Sequence, residues 1–107
     1  MQTTAKPPFE VAPWNNPLNT DGWQLFRVGT CNGQWRSTPT AYEILSVVND
    51  DPGNGHFAIL MEYFEASCKR DKRDFIIREV WNKRLQKHLG KLGFLCYSDN
   101  DFRKTFK

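Results

Sequence analysis

The chain has 107 residues, 39% of them hydrophobic and 25% charged, with a formal net charge of +3. That length suits one domain with one core, and four Trp, three Tyr and eight Phe supply large side chains to fill it. Its apolar runs fall far short of the ~20 residues that span a bilayer. The first residues lack a charged-then-apolar leader pattern, so neither a membrane span nor secretion is expected.

The three cysteines, Cys31, Cys68 and Cys96, are odd in number and widely spaced, with no C-x-x-C pair. This spacing supports neither a zinc site nor a redox motif, and reduced thiols in a cytoplasmic protein are the expectation. Charge is uneven along the chain. Residues 1–53 carry three Lys/Arg against five Asp/Glu, net −2, and residues 54–107 carry twelve against seven, net +5. A basic half suits an anionic partner: nucleic acid, an acidic protein or a phosphorylated cofactor. It equally suits a solvated helix face.

In chain order, residues 1–22 hold Pro7, Pro8, Pro13 and Pro17 and show no period of 2 or 3.6, which reads as an irregular or extended arm. Residues 23–28 form a strand rich in aromatic and branched side chains. Asn32-Gly33 is the strongest hairpin signal that follows, with residues 34–38 as the returning strand and Pro39 ending it. Residues 41–48 form a third strand. Its end, Ile44-Leu45-Ser46-Val47-Val48, is apolar enough for a central position. A glycine turn through Gly53-Asn54-Gly55-His56 leads to a helix reaching about residue 70, with Phe57, Leu60, Met61, Phe64 and Cys68 at steps of three and four. After the charged turn 69–74, residues 75–80 read as a strand. Residues 82–92 read as a helix capped by Asn82, closed by Gly93, with Leu85, Leu89 and Leu92 inward. Residues 94–97 form a short last strand, and the tail is polar with Phe102 and Phe106. Three strands followed by strand–helix–strand–helix–strand predicts an α+β (α/β-like) sheet with helices packed on it, one domain over residues 23–107.

A glycine turn between a strand and a helix leaves N–H groups that no helix bond uses, and the helix dipole adds to them. This favours a phosphate-bearing ligand. A glycine pair is also an ordinary tight turn, so strand and helix on either side are what give it meaning. Glu43 and Glu79 are the carboxylates available for general-base work, against a plain reading as surface charges. His56 serves either phosphate or the loop itself. Trp23, Trp35 and Trp81 suit base stacking or, more ordinarily, the core. Arg84, Lys87 and Lys91 form a basic stripe that could meet phosphates or simply face solvent.

The order strand, Gly-Asn-Gly turn, helix, strand, Asn-started helix and Gly93-Phe94 resembles the GNAT (Gcn5-related N-acetyltransferase) family over about half of the chain. Within it, the chain resembles the short GNAT-like proteins of phages, whose loop reads G-x-G-H-F and whose later helix begins N-x-R-L. Here these are Gly53-Asn54-Gly55-His56-Phe57 and Asn82-Lys83-Arg84-Leu85. The resemblance implies a GNAT-like mixed central sheet with two main helices, lacking the family's N-terminal strand and helices. It implies acetyl-CoA as cofactor. Gly53, Asn54, Gly55 and His56 would meet its pyrophosphate, the splayed backbone at Val47 and Val48 would pair with its pantetheine arm, and Asn82 would lie beside it. The reaction implied is acetyl transfer to an amine, with Glu43 at the strand's solvent end or Glu79 near the splay as base. Two departures stand out: Asp50 replaces the family's Gln or Arg, and Leu89 replaces its general-acid tyrosine. The alternatives are a non-catalytic GNAT-fold protein that binds another protein, as a phage factor would bind a host protein, or a nucleic-acid binder. A homodimer is compatible with all three.

Overall fold

The computed structural model describes residues 10–13, 22–49 and 55–106. Seven strands and two helices follow one another: β1 (Glu10–Pro13), β2 (Gln24–Val28), β3 (Cys31–Ser37), β4 (Ala41–Asn49), α1 (His56–Asp71), β5 (Asp74–Arg78), α2 (Lys83–Lys91), β6 (Leu95–Ser98) and β7 (Asp101–Lys104). They build one mixed α+β sheet in the order β1-β2-β3-β4-β5-β7-β6. Among the described residues only β4 and β5 run parallel, joined by the crossover helix α1.

Three sequence expectations are corrected. The arm is not irregular throughout, because β1 pairs antiparallel with β2. The first hairpin turns at Gly29-Thr30, with Val28 paired to Cys31, and Asn32-Gly33 lies inside β3. Gly29 has φ 55°, and a Cβ there would meet the His56 ring at 2.2 Å, so this turn needs glycine for both conformation and space. The polar tail is a strand, β7, inserted between β5 and β6. Its Phe102, and Phe106 beyond it, are buried.

The core lies on one side of the sheet. Tyr42 and Ile44 of β4 align with Phe75 and Ile77 of β5, and Ile77 aligns with Phe102 of β7. Leu60, Met61, Phe64 and Cys68 of α1 and Leu89 of α2 pack into the same cluster. Phe64 is the hub: its ring stacks on Phe75 at 5.4 Å and lies 5.8 Å from Trp35 and 6.3 Å from Tyr42. Burying such a ring is worth about 1.5–3 kcal/mol. Burial pushes the Cys68 thiol up to about 12, with the nearby carboxylates of Asp74 and Glu65 adding to it, which leaves this thiol unreactive. Among the described residues no disulfide links the cysteines, and no helix is long and apolar enough to cross a membrane.

Candidate functional site: a cleft where two parallel strands part

The cleft begins at a bulge. Gln34 of β3 pairs with Leu45 of β4, but Asn32 pairs with Val48, so Ser46 and Val47 together oppose Gly33. The bulge requires Ser46 to adopt φ 55°, a conformation that side chains other than glycine rarely take. Gly33 permits the close approach: a Cβ there would meet the Leu45 carbonyl oxygen at 3.1 Å and the Val47 Cα at 3.2 Å. At the same level, pairing between β4 and β5 stops with Leu45 and Arg78. The edge of Ser46, Val47 and Val48 that would meet β5 borders open space instead.

The far wall is equally determined. Glu79, the residue after β5, has φ 59° and turns the chain away from the sheet. Its N–H donates to Asp101 Oδ1 at 3.0 Å, and the Val80 N–H donates to the Asn100 carbonyl at 2.9 Å. Gln86 of α2 donates to the Val80 carbonyl at 2.7 Å and to Asn100 Oδ1 at 3.0 Å. Asn82 then caps α2, its Oδ1 accepting from the N–H groups of Arg84 and Leu85.

Between these walls lies a cleft of about 550 Å³, a volume typical of small-ligand sites. β4 contributes Ser46 to Asn49, the linker Glu79, Trp81 and Asn82, α2 Arg84, Leu85 and His88, and α1 the Phe57 ring. Val48 is 50% exposed and Trp81 71% exposed, which is unusual for large apolar groups unless something covers them. Across the splay the Ser46 hydroxyl donates to Glu79 Oε1 at 3.0 Å. Arg84 makes the α2 side the more cationic wall.

The predicted site residues divide into four groups. Val47, Val48, Glu79 and Asn82 come together in the cleft. Gly55 is the N-cap of α1 with φ 84°; it makes no side-chain cap bond, and the first turn has no acidic residue. Gly53 and Asn54 lie outside the described residues. His56 and Glu43 sit elsewhere. The Thr30 N–H donates to His56 Nδ1 at 3.1 Å, so this ring fastens the β2–β3 turn to the start of α1. Glu43, expected at a solvent end, is 4% exposed. Its carboxylate accepts from Arg78 Nε at 2.7 Å and pairs with Arg36 Nη2 at 3.2 Å, and the Arg36 guanidinium lies 4.5 Å from the centre of the Trp23 ring. Glu43 is a structural ion-pair centre and does not line the cleft.

Leu89 is fully buried and offers no proton, while neighbouring His88 is an exposed helix residue that borders the cleft with its ring 6.1 Å from that of Phe57. Sequence reasoning missed Ser46. Its one signal was a lone hydroxyl interrupting the run Ile44-Leu45-Ser46-Val47-Val48. Among the described residues no cluster of three or more His, Cys, Asp or Glu could hold a metal. Compared with protein-family models, curated proteins and solved structures, the chain matches none.

Proposed function

We propose that this chain is a GNAT-fold acyltransferase of the cytoplasm that binds acetyl-CoA in the cleft and passes the acetyl group to an amine. The observation that carries this reading is the bulged β4 parting from β5, which leaves a strand edge open along an apolar cleft. The residues present fit the cofactor. An extended pantetheine arm has amides that can pair with the edge of Val47 and Val48. The N-terminus of α1, without a side-chain cap bond or a first-turn carboxylate, suits the diphosphate. Arg84 adds a cation on the cleft wall. The cofactor supplies the activated acyl group. For their part, backbone N–H groups at the bulge polarise the acyl carbonyl, and Glu79, exposed at the splay, accepts the amine proton.

The test is a titration with CoA and acetyl-CoA, read by thermal unfolding and amide NMR shifts. Shifts at Val47, Val48, Gly55 and Asn82, with a rise in unfolding temperature, are expected. Saturation at 100 times Kd corresponds to about 2.7 kcal/mol. Absence of both shifts and stabilisation at millimolar CoA removes the reading.

The buried Leu89 favours a second reading, a non-catalytic protein on the same fold that engages another protein. A stoichiometric partner that receives no acetyl group would support it.

A further inference from the structure

Among the described residues, three other than glycine hold a positive φ: Ser46, Lys72 and Glu79. Lys72 closes α1 and needs no other explanation. Ser46 lies in β4 and Glu79 directly follows β5, yet they meet across the mouth of the splay, hydroxyl to carboxylate at 3.0 Å. Glu79 is not left to solvent fluctuation, because its own N–H, the Val80 N–H and the Val80 carbonyl are all bonded to the β6–β7 turn or α2. Backbone held in a rare conformation on both sides of a cleft, with a hydroxyl hydrogen-bonded to a carboxylate, has the form of an activated nucleophile and its base.

We propose that Ser46 is itself an acyl acceptor: with an activated acyl donor in the cleft and no amine in place, its hydroxyl takes the acyl group as an ester. The Ser46 O–H proton passes to Glu79 as Oγ bonds to the acyl carbon. The bond from that carbon to the donor's sulfur or oxygen breaks, and the departing anion takes a proton from Glu79 or water. With acetyl-CoA as donor this rests on the acyltransferase reading. With p-nitrophenyl acetate it does not, since that donor needs no nucleotide site.

The experiment incubates the full chain with each donor separately and reads intact mass, peptide mapping and release by alkaline hydroxylamine, which cleaves oxygen esters and leaves amides, after neutral hydroxylamine has removed any thioester on the exposed Cys96. The expected result is one acetyl group on the Ser46 peptide, released by hydroxylamine. Ser46→Gly should abolish it, and Glu79→Gln should slow it at least tenfold. Glycine suits φ 55° at position 46, so loss of labelling in that variant is not loss of fold. If CoA binds but neither donor labels Ser46, the inference is overturned and the acyltransferase reading stands. Labelling by p-nitrophenyl acetate alone, with no CoA binding, supports the nucleophile and removes the reading. No labelling and no CoA binding overturn both.

Discussion

The two halves of β4 are built to opposite specifications. From Tyr42 to Leu45 the strand is paired on both edges, in register with β3 on one side and β5 on the other. Ile44 there is fully buried and Tyr42 packs on the core. From Ser46 onward the strand keeps β3, loses β5, bulges, and turns Val48 outward to 50% exposure. The first half is what a stable sheet needs; the second leaves apolar surface open and holds backbone in a rare conformation. The same strand thus separates core packing from an open cleft edge within a few residues, as fits a candidate site carried on a rigid element.

Disrupting the first half should cost most. Phe64→Ala removes the ring packed among Trp35, Tyr42, Tyr63 and Phe75, and its unfolding free energy in urea should fall by about 3–5 kcal/mol. CoA binding, if it persists in the folded fraction, should keep its affinity.

The two carboxylates make a sharper contrast. Glu43→Gln leaves the Arg36 and Arg78 guanidinium groups without their shared counter-charge, at 22% and 34% side-chain exposure. A fully buried pair broken this way costs 3–5 kcal/mol, and partial solvation of the two arginines brings the expected loss to about 2–3 kcal/mol. Glu79→Gln, on the cleft side, should change stability by no more than about 0.5 kcal/mol while removing the carboxylate to which the proposal assigns the role of base. Equal losses in denaturant titrations of the two variants would dissolve the distinction between the halves.

Smaller and opposite in sign is Ser46→Gly. Replacing a residue at φ 55° by glycine relieves local strain and should raise stability by about 0.5 kcal/mol, although it removes the hydrogen bond to Glu79. A gain in the urea midpoint with loss of acyl labelling would place Ser46 among residues held for function at a cost in stability.

Much of this organisation was readable from residue patterns, and the failures have physical causes. α1 and α2 followed from apolar steps of three and four, and the cap at Asn82 from its residue type, because these are local. The turn at Gly29-Thr30 was hidden because Asn-Gly is the stronger local signal, and the packing of His56 on Gly29, a contact 27 residues apart, decided against it. β7 was hidden by its polar composition, Asp101-Phe102-Arg103-Lys104, since only Phe102 faces the core; Arg103 instead pairs with Asp74 across the sheet. The splay was expected only through a family resemblance. No local pattern says that β5 ends one residue before the β4 bulge, because register is settled between strands. Glu43 and Glu79 could not be separated for the same reason: burial of Glu43 depends on arginines 7 and 35 residues away.

The smallest expected effect concerns acid. The Arg70 guanidinium and then the Tyr42 hydroxyl hold the Asp71 carboxyl well below the usual carboxylate range, at the C-terminal end of α1 beside the paired half of β4. A carboxyl depressed in the folded state contributes its stability above the unfolded value near 3.9 and loses it as pH falls below about 4. The group is partly exposed to water, so the effect is modest. Asp71→Asn should lower the urea midpoint slightly at pH 7 and by a smaller amount at pH 2.5. A wild-type acid dependence that Asp71→Asn leaves intact would move the acid-sensitive contact away from the paired half of β4, against the division drawn from the hydrogen bonds.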